Sequence, residues 1–159
     1  MVQVAAQASC IGAKPSFHQS LASPRQHRKT GIGDVLVSKT FPRITRTTLA
    51  LYAGASGDHN PMHMDSDFAK VAGFPDVFAQ GMLVMAYLGQ AVTDAVRPDR
   101  LRSFSTRFTA ITQLGARITC EGKVAELLEA NEEKCARLSL TARDENGEVK
   151  LSGEAIIAL

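Results

Sequence analysis

The sequence lacks the features that mark several large classes of protein. Its 159 residues include no tryptophan, two tyrosines and three cysteines. The cysteines (Cys10, Cys120 and Cys135) form no CxxC pair, and this odd, sparse set argues against a disulfide scaffold and suits a reducing compartment. No run of about 18 apolar residues occurs, so we expect no membrane-spanning helix. A formal net charge of only +2 gives no reason to expect nucleic-acid binding.

Acidic residues are absent from the N-terminal part of the chain. Residues 1–33 contain no Asp or Glu and four Lys or Arg, whereas the remaining 126 residues carry 14 basic and 16 acidic residues, a net charge of −2. Residues 1–30 show no steady apolar period, which predicts a flexible basic extension before a single domain over residues 31–159. The extension resembles an organellar transit peptide in composition, but this composition is weak evidence, and an ordinary disordered extension is the preferred alternative. We expect a cytoplasmic protein, or an organellar-matrix protein if the extension directs import.

The pattern after residue 30 predicts an α+β domain with an antiparallel sheet. A first strand is expected at 34–41, a helix capped by Thr45, and a short helix at about Ser66–Val71. The pair Asn146-Gly147 predicts a hairpin turn, and hairpins are expected between consecutive strands. Four further strands are predicted at 101–109, 117–126, 134–143 and 148–158.

The segment Gly81–Val96 predicts the longest helix. It is apolar nearly all round, which is typical of a helix buried on every side, and Gly89 in its middle suggests close packing there. Met82, Met85 and Tyr87 are expected in the core or in a pocket wall. The layout is therefore a sheet wrapped around a central helix.

Residues 57–65 form a loop in which Asp58 and His63 are the first candidates for chemistry. A carboxylate beside an imidazole can hold and deprotonate water and then return a proton. Asn60, before Pro61, can fix the turn by bonding backbone groups. The alternative is an ordinary structural role, as a loop histidine for His63 and as a cap or turn residue for Asp58. Asp58 and His63, together with His59 and Asp65, are also candidate metal ligands, but no familiar zinc spacing is present.

Gly81 is a second candidate because it begins the long helix directly after a loop. The first N–H groups of a helix have no partner within the helix, and the helix dipole favours negative charge there. The N–H of Gly81 can therefore donate to a carbonyl oxygen that becomes an oxyanion. A plain helix start is the alternative.

These residues resemble a known family. The segment from Tyr52 to His63 is similar to the YxxxSGDxNPxH signature of MaoC-like dehydratases, the R-specific enoyl-CoA hydratases, and Ala79–Leu83 resembles the family's HGML stretch. The resemblance covers about residues 31–159. It implies a single hot-dog fold, with an antiparallel sheet around a long central helix.

The resemblance also implies an activity, the reversible addition of water to a trans-2-enoyl thioester. No cofactor or metal is implied, since CoA or acyl carrier protein belongs to the substrate. A homodimer is expected, or a heterodimer with another hot-dog chain. The implied roles are water activation by Asp58 and His63, and an oxyanion bond from the Gly81 N–H. Supporting or substrate-binding residues would be Ser56, Asn60, Gln80 and Met82.

One departure from the family and two alternative functions remain. Gln80 stands where the family often has His, so a role borrowed for that position is in doubt. A hot-dog chain can also be a thioesterase or a non-catalytic acyl-thioester-binding subunit. The basic residues Arg102, Arg107 and Lys123 either meet carrier phosphates or belong to a solvated sheet face.

Overall fold

A computed structural model of the chain describes residues 30–130 and 132–159. The predicted extension over residues 1–30 lies almost wholly outside these residues. No helix in the described part of the chain is long and apolar enough to cross a membrane. The elements are β1 (Val35–Thr40), α1 (Arg46–Ser56), α2 (Ser66–Val71), α3 (Gly81–Ala95), β2 (Leu101–Phe108), β3 (Thr119–Ala130), β4 (Glu133–Arg143) and β5 (Val149–Ala158), with single 3₁₀ turns at Pro61–His63 and Pro98–Arg100.

The strands form one antiparallel sheet in the order β1-β3-β4-β5-β2. The helix α3 contacts all five strands, which confirms the predicted α+β arrangement. The hairpin at Asn146-Gly147 is confirmed, with Gly147 in the left-handed region at φ 85°. The prediction of hairpins between all consecutive strands is wrong for β2, which pairs with β5 at the edge opposite β1. A single-sequence pattern shows that a strand is present but not which neighbour it pairs with.

Local chemistry explains where α1 begins. The Thr45 side chain accepts a hydrogen bond from the Thr48 N–H, and the Thr48 hydroxyl accepts one from the Thr45 N–H. This reciprocal capping box satisfies backbone donors that the first helical turn leaves free. The predicted cap at Thr45 is therefore confirmed.

The core lies between α3 and the sheet. Its largest fully buried side chains include Ile44, Leu49, Leu88, Leu138 and Leu140. Cys120 and Cys135 are buried apolar residues, as the sequence predicts. Burial raises the pKa of the Cys120 thiol to about 12, so this thiol is uncharged at neutral pH.

The helix α3 is buried on one side only, which corrects the prediction of burial all round. Its buried residues are Leu83, Val84, Leu88, Ala91 and Val92. Met82 is 52% exposed and so is not a core residue, whereas Met85 and Tyr87 pack against the core. At Gly89, no described atom outside its chain neighbours and the backbone of its own helix lies within 4 Å of where a Cβ would stand, so the predicted close packing is wrong within this chain. One sheet can cover only one side of a helix.

Candidate active site

The loop between α1 and α2 is shaped by bonds among its own residues. Gly57 ends α1 in the left-handed region at φ 74°, a conformation that glycine adopts without steric cost. The Ser56 hydroxyl donates to the Tyr52 carbonyl (2.7 Å) and accepts from the Asp58 N–H (3.2 Å). The Asn60 side chain accepts from the Met62 N–H (3.1 Å), which confirms its predicted action on the turn.

His63 is the buried member of the loop. Its Nδ1 lies 2.8 Å from the carbonyl oxygen of Phe78, and its ring meets the Phe78 ring edge-on at 5.1 Å between centroids. A carbonyl oxygen only accepts hydrogen bonds, so Nδ1 carries the proton in this arrangement. In the neutral imidazole, Nε2 is then the free base.

Asp58 faces that free base. Its Oδ2 lies 3.8 Å from Nε2 of His63, and the Asp58 side chain is 42% exposed. The gap exceeds the 2.7–3.2 Å of a hydrogen bond. The carboxylate and the imidazole thus face each other without a direct bond, and the carboxylate side is open to solvent.

The start of α3 is held by contacts that are distant in sequence. The Ala79 N–H donates to the Thr112 carbonyl at 2.8 Å, and the Gln80 amide donates to the Leu49 carbonyl at 3.3 Å. Gln80 is only 1% exposed, and its Oε1 has no partner among the described residues. Its side chain therefore points into the protein, between α1 and α3.

The backbone N–H of Gly81 donates to no group in the described part of the chain. It stands at the positive end of a 15-residue helix, where a developing negative charge is favoured. A cavity of about 360 Å³ lies beside it. Most of its wall is apolar and comes from the loop before α3, from α3 itself and from the chain around the end of β2 and the start of β5; it includes Phe78, Val84, Phe108 and Leu151.

Lys150 also lines this cavity, although its side chain is only 3% exposed. Leu151 and Val149 pair with the consecutive residues Ala142 and Arg143, so Lys150 is the extra residue of a β-bulge. A bulge re-aims a side chain that regular alternation would place elsewhere. Here it directs the ammonium to the Ile111 carbonyl at 3.0 Å.

Two carboxylates neutralise the buried ammonium. Lys150 pairs with Asp144 (3.2 Å) and with Glu148. Burial alone would lower the pKa of Lys150, but hydrogen bonds to Glu148 and Asp144 hold it above its ordinary value. Burial alone would raise the pKa of Asp144, but the Glu148 N–H and Lys150 hold it below its ordinary value. Both groups are therefore charged at neutral pH.

The remaining candidates from the sequence have other surroundings. Asp65 caps α2 by accepting from the Asp67 N–H (2.9 Å) and the Phe68 N–H. No group of three or more His, Cys, Asp or Glu that could hold a metal occurs among residues 30–130 and 132–159. Of the basic residues, Arg102 is paired with Glu133 and Lys123 with Glu121, whereas the side chain of Arg107 is exposed.

Sequence reasoning missed Phe78, Phe108 and Lys150. Phe78 contributes a backbone carbonyl to the site, and no pattern of side chains can predict such a contribution. Lys150 stands in a strand-like run where it looks like an ordinary solvent-facing residue. Only the bulge, a property of the pairing with β4, brings it inside.

Comparison with known proteins shows the family. The MaoC like domain matches residues 29–146, well over half of the chain, and the protein belongs to this family of MaoC-like dehydratases. Its structure resembles the unliganded R-hydratase PhaJ1 from Pseudomonas aeruginosa, with a TM-score of 0.70 and 28% identity, over 80% of this chain and 81% of that one. The fold is accordingly the single hot dog that the sequence predicted.

Two curated relatives carry hydro-lyase names. The peroxisomal enoyl-CoA hydratase 2 of Arabidopsis thaliana is 33% identical over 96 residues, which are 52% of this chain and 31% of that protein. The 3-hydroxyacyl-thioester dehydratase X of Mycobacterium tuberculosis (strain ATCC 25618 / H37Rv) is 44% identical over 66 residues, 42% of this chain and 23% of that protein. The chain thus spans a third or less of the length of these relatives.

Proposed function

We propose that this protein is an R-specific enoyl-thioester hydratase, which also runs in reverse as a 3-hydroxyacyl-thioester dehydratase. One observation carries the proposal. His63, with Nδ1 bonded to the Phe78 carbonyl, presents its free Nε2 to Asp58. Phe78 also lines the cavity that Gly81 borders. Phe78 therefore contacts the Asp58/His63 pair, which could activate water, and lines the same cavity as Gly81, the candidate oxyanion donor.

The reaction needs both groups. Asp58 and His63 would hold a water molecule and take one of its protons while its oxygen bonds to Cβ of the enoyl chain. The electron pair of the double bond moves toward the thioester carbonyl, giving an enolate oxygen. The Gly81 N–H would donate to that oxygen. The proton is then returned from the pair to Cα, and the R-3-hydroxyacyl thioester is complete.

The test is direct hydration of crotonyl-CoA and longer trans-2-enoyl-CoAs, followed as loss of the conjugated enoyl absorbance. The chirality of the product is measured separately. Full activity in both Asp58→Asn and His63→Ala would overturn the proposal. Release of free thiol without loss of the enoyl group would show a thioesterase instead, and binding without turnover would show a non-catalytic subunit.

The acyl carrier is part of the proposal. The thioester carrier, CoA or acyl carrier protein, would supply the activated carbonyl, so no separate cofactor is required. Comparing kcat/KM for the same acyl group on the two carriers separates these substrates. Asn60 and Ser56 would hold the loop. Gln80 points away from solvent. The substrate-binding roles of Gln80 and Met82 stay predictions.

We also propose that two copies of this chain form the working unit. The uncovered side of α3 carries Met82, Ala86 and Gln90, and β2 is an edge strand, so both a partly apolar helix face and strand hydrogen-bonding groups are available to a second copy. Sedimentation of the purified chain at the mass of a dimer is expected; a monomer would favour a different hot-dog partner.

The compartment is proposed to be the cytoplasm. Mass spectrometry of the mature protein from its native host tests this. An intact Met1 or Val2 agrees with it, and cleavage near residue 30 would indicate an organellar matrix.

A further inference from the structure

Phe108 is the last residue of β2 and lies on the side of the sheet that faces α3. It pairs with Leu151 in the antiparallel register, and directly paired residues share a face. Leu151 is 1% exposed and belongs to the core, whereas Phe108 is 51% exposed. The ring thus sits at the rim of the core rather than inside it.

The ring lies against Gly81. A Cβ placed on Gly81 would be 3.1 Å from both Cδ1 and Cε1 of Phe108. The glycine is not needed for a left-handed backbone, because Gly81 is absent from the positive-φ residues of the described chain. What the missing Cβ permits here is the close approach of the aromatic ring to the start of α3.

The backbone after Phe108 is fixed, while its ring is a half-exposed part of the cavity wall. The next residue, Thr109, donates from its N–H to the Lys150 carbonyl (3.0 Å) and from its hydroxyl to the Val149 carbonyl (2.6 Å). Lys150 in turn holds the Ile111 carbonyl. These bonds tie residues 109–111 to β5, so the shape of the wall at this point depends on the side chain at position 108.

We propose that Phe108 determines which acyl chains the protein accepts, an inference that rests on the proposed function. With the thioester carbonyl at the Gly81 N–H, the acyl chain enters the adjoining cavity past the Phe108 ring. A volume of about 360 Å³ is near the lower limit of roughly 300–1,000 Å³ for ligand pockets. The ring therefore restricts the substrate to short, unbranched enoyl thioesters.

The first experiment compares kcat/KM for crotonyl-, hexenoyl-, octenoyl- and dodecenoyl-CoA. Wild type is expected to prefer the short chains. Phe108→Ala should raise the octenoyl-to-crotonyl ratio about tenfold, the lower range for discrimination by a hydrophobic pocket. Phe108→Leu should raise it less. The control is Phe68→Ala, since Phe68 is a similarly exposed phenylalanine (48%) on α2 that does not line the cavity.

The second experiment is a double-mutant cycle with Gly81→Ala. Alanine keeps the N–H but adds a Cβ that must displace the ring. Gly81→Ala alone should lower kcat/KM for crotonyl-CoA, and Phe108→Ala in the same chain should restore most of it. Thermal unfolding of wild type, the two single variants and the double variant gives the same comparison without turnover. It still tests the contact if the Phe108→Ala chain folds poorly.

The outcomes separate the two proposals. A wild type that hydrates no enoyl thioester removes the proposed function and this inference together. If wild type hydrates enoyl thioesters but the octenoyl-to-crotonyl ratio of both Phe108 variants stays within twofold of the wild-type ratio, this inference alone is overturned. An unrelieved loss in Gly81→Ala/Phe108→Ala also overturns it, because the loss would then not come from the ring.

Discussion

The two halves of the candidate site are held in place in different ways. The loop of residues 56–65 is shaped by hydrogen bonds between residues two to four positions apart, as at Ser56, Asn60 and Asp65. The start of α3 is held by bonds that span 31 positions to Leu49 and a similar span to Thr112. Local bonds make a shape that forms readily by itself, whereas distant bonds exist only once the fold is complete. His63 is where the two halves meet, through Phe78.

The largest expected effect is that of replacing His63, the buried member of the Asp58/His63 pair. His63→Ala should lower kcat for enoyl hydration about 10²–10⁴-fold, the usual contribution of a general base. It should also destabilise the protein, because it removes a buried ring that bonds to the Phe78 carbonyl. Steady-state kinetics and urea unfolding measure the two losses.

Asp58→Asn is the matched variant on the exposed side of the pair. Its activity should fall about 10²-fold, while the free energy of unfolding changes by no more than about 0.5 kcal/mol, as at other exposed positions. Equal destabilisation by both substitutions would contradict the contrast between a locally held carboxylate and a distantly held imidazole.

The second effect is on stability through the distant contacts of the cavity wall. Lys150→Met leaves Asp144 buried without its counter-charge and frees the Ile111 carbonyl, so a loss of about 3 kcal/mol is expected. The control is Lys123→Met, which breaks the exposed pair with Glu121 and should cost about 0–1 kcal/mol. If urea unfolding shows similar losses of unfolding free energy in Lys150→Met and Lys123→Met, the charge that the bulge places inside is not important for stability.

A smaller effect is expected at Gln80. Gln80→Met removes the buried Oε1, which has no partner among the described residues, but it also removes the amide bond to the Leu49 carbonyl. The two changes oppose each other, so the free energy of unfolding should change by no more than about 1 kcal/mol in either direction. A clear loss of kcat in Gln80→Met with unchanged stability would show that this amide contacts substrate after all.

The smallest effect is a pH dependence at the rim of the sheet. Glu145 accepts from the Arg117 N–H (2.8 Å) and pairs with Arg43. Its bond to the Arg117 N–H is the main reason that the pKa of Glu145 is lowered to about 2.

A lowered pKa in the folded protein adds stability that is fully present above the ordinary glutamate range and is lost as pH falls toward 2. Wild type should therefore be more stable than Glu145→Gln at pH 7, and the difference should shrink between pH 5 and pH 2. Unfolding curves across that range measure it. A difference that is constant with pH would show that the charge of Glu145 contributes nothing.

The same contrast explains how much could be predicted. The Thr45 cap, the turn at Asn60 and the hairpin at Asn146-Gly147 depend on residues close in sequence, and all three were predicted. Other features depend on which strands and surfaces meet, so the pattern of a single segment cannot predict them. These are the pairing of β2 with β5, the one-sided burial of α3 and the inward direction of the Lys150 side chain. The candidate residues Asp58, His63 and Gly81 were predicted from residue type and motif, but the bond from His63 to the Phe78 carbonyl was not.

The bond from His63 to Phe78 has a consequence for how the site tolerates mutation. The acceptor is a backbone carbonyl, so every amino acid at position 78 still offers it. The location of the imidazole proton is therefore insensitive to the side chain there. The ring at position 78, by contrast, shapes the cavity. A single position can thus change the shape of the cavity while the imidazole keeps its proton in place. Under the proposed function, substitution at position 78 is a simple route to a different acyl-chain preference.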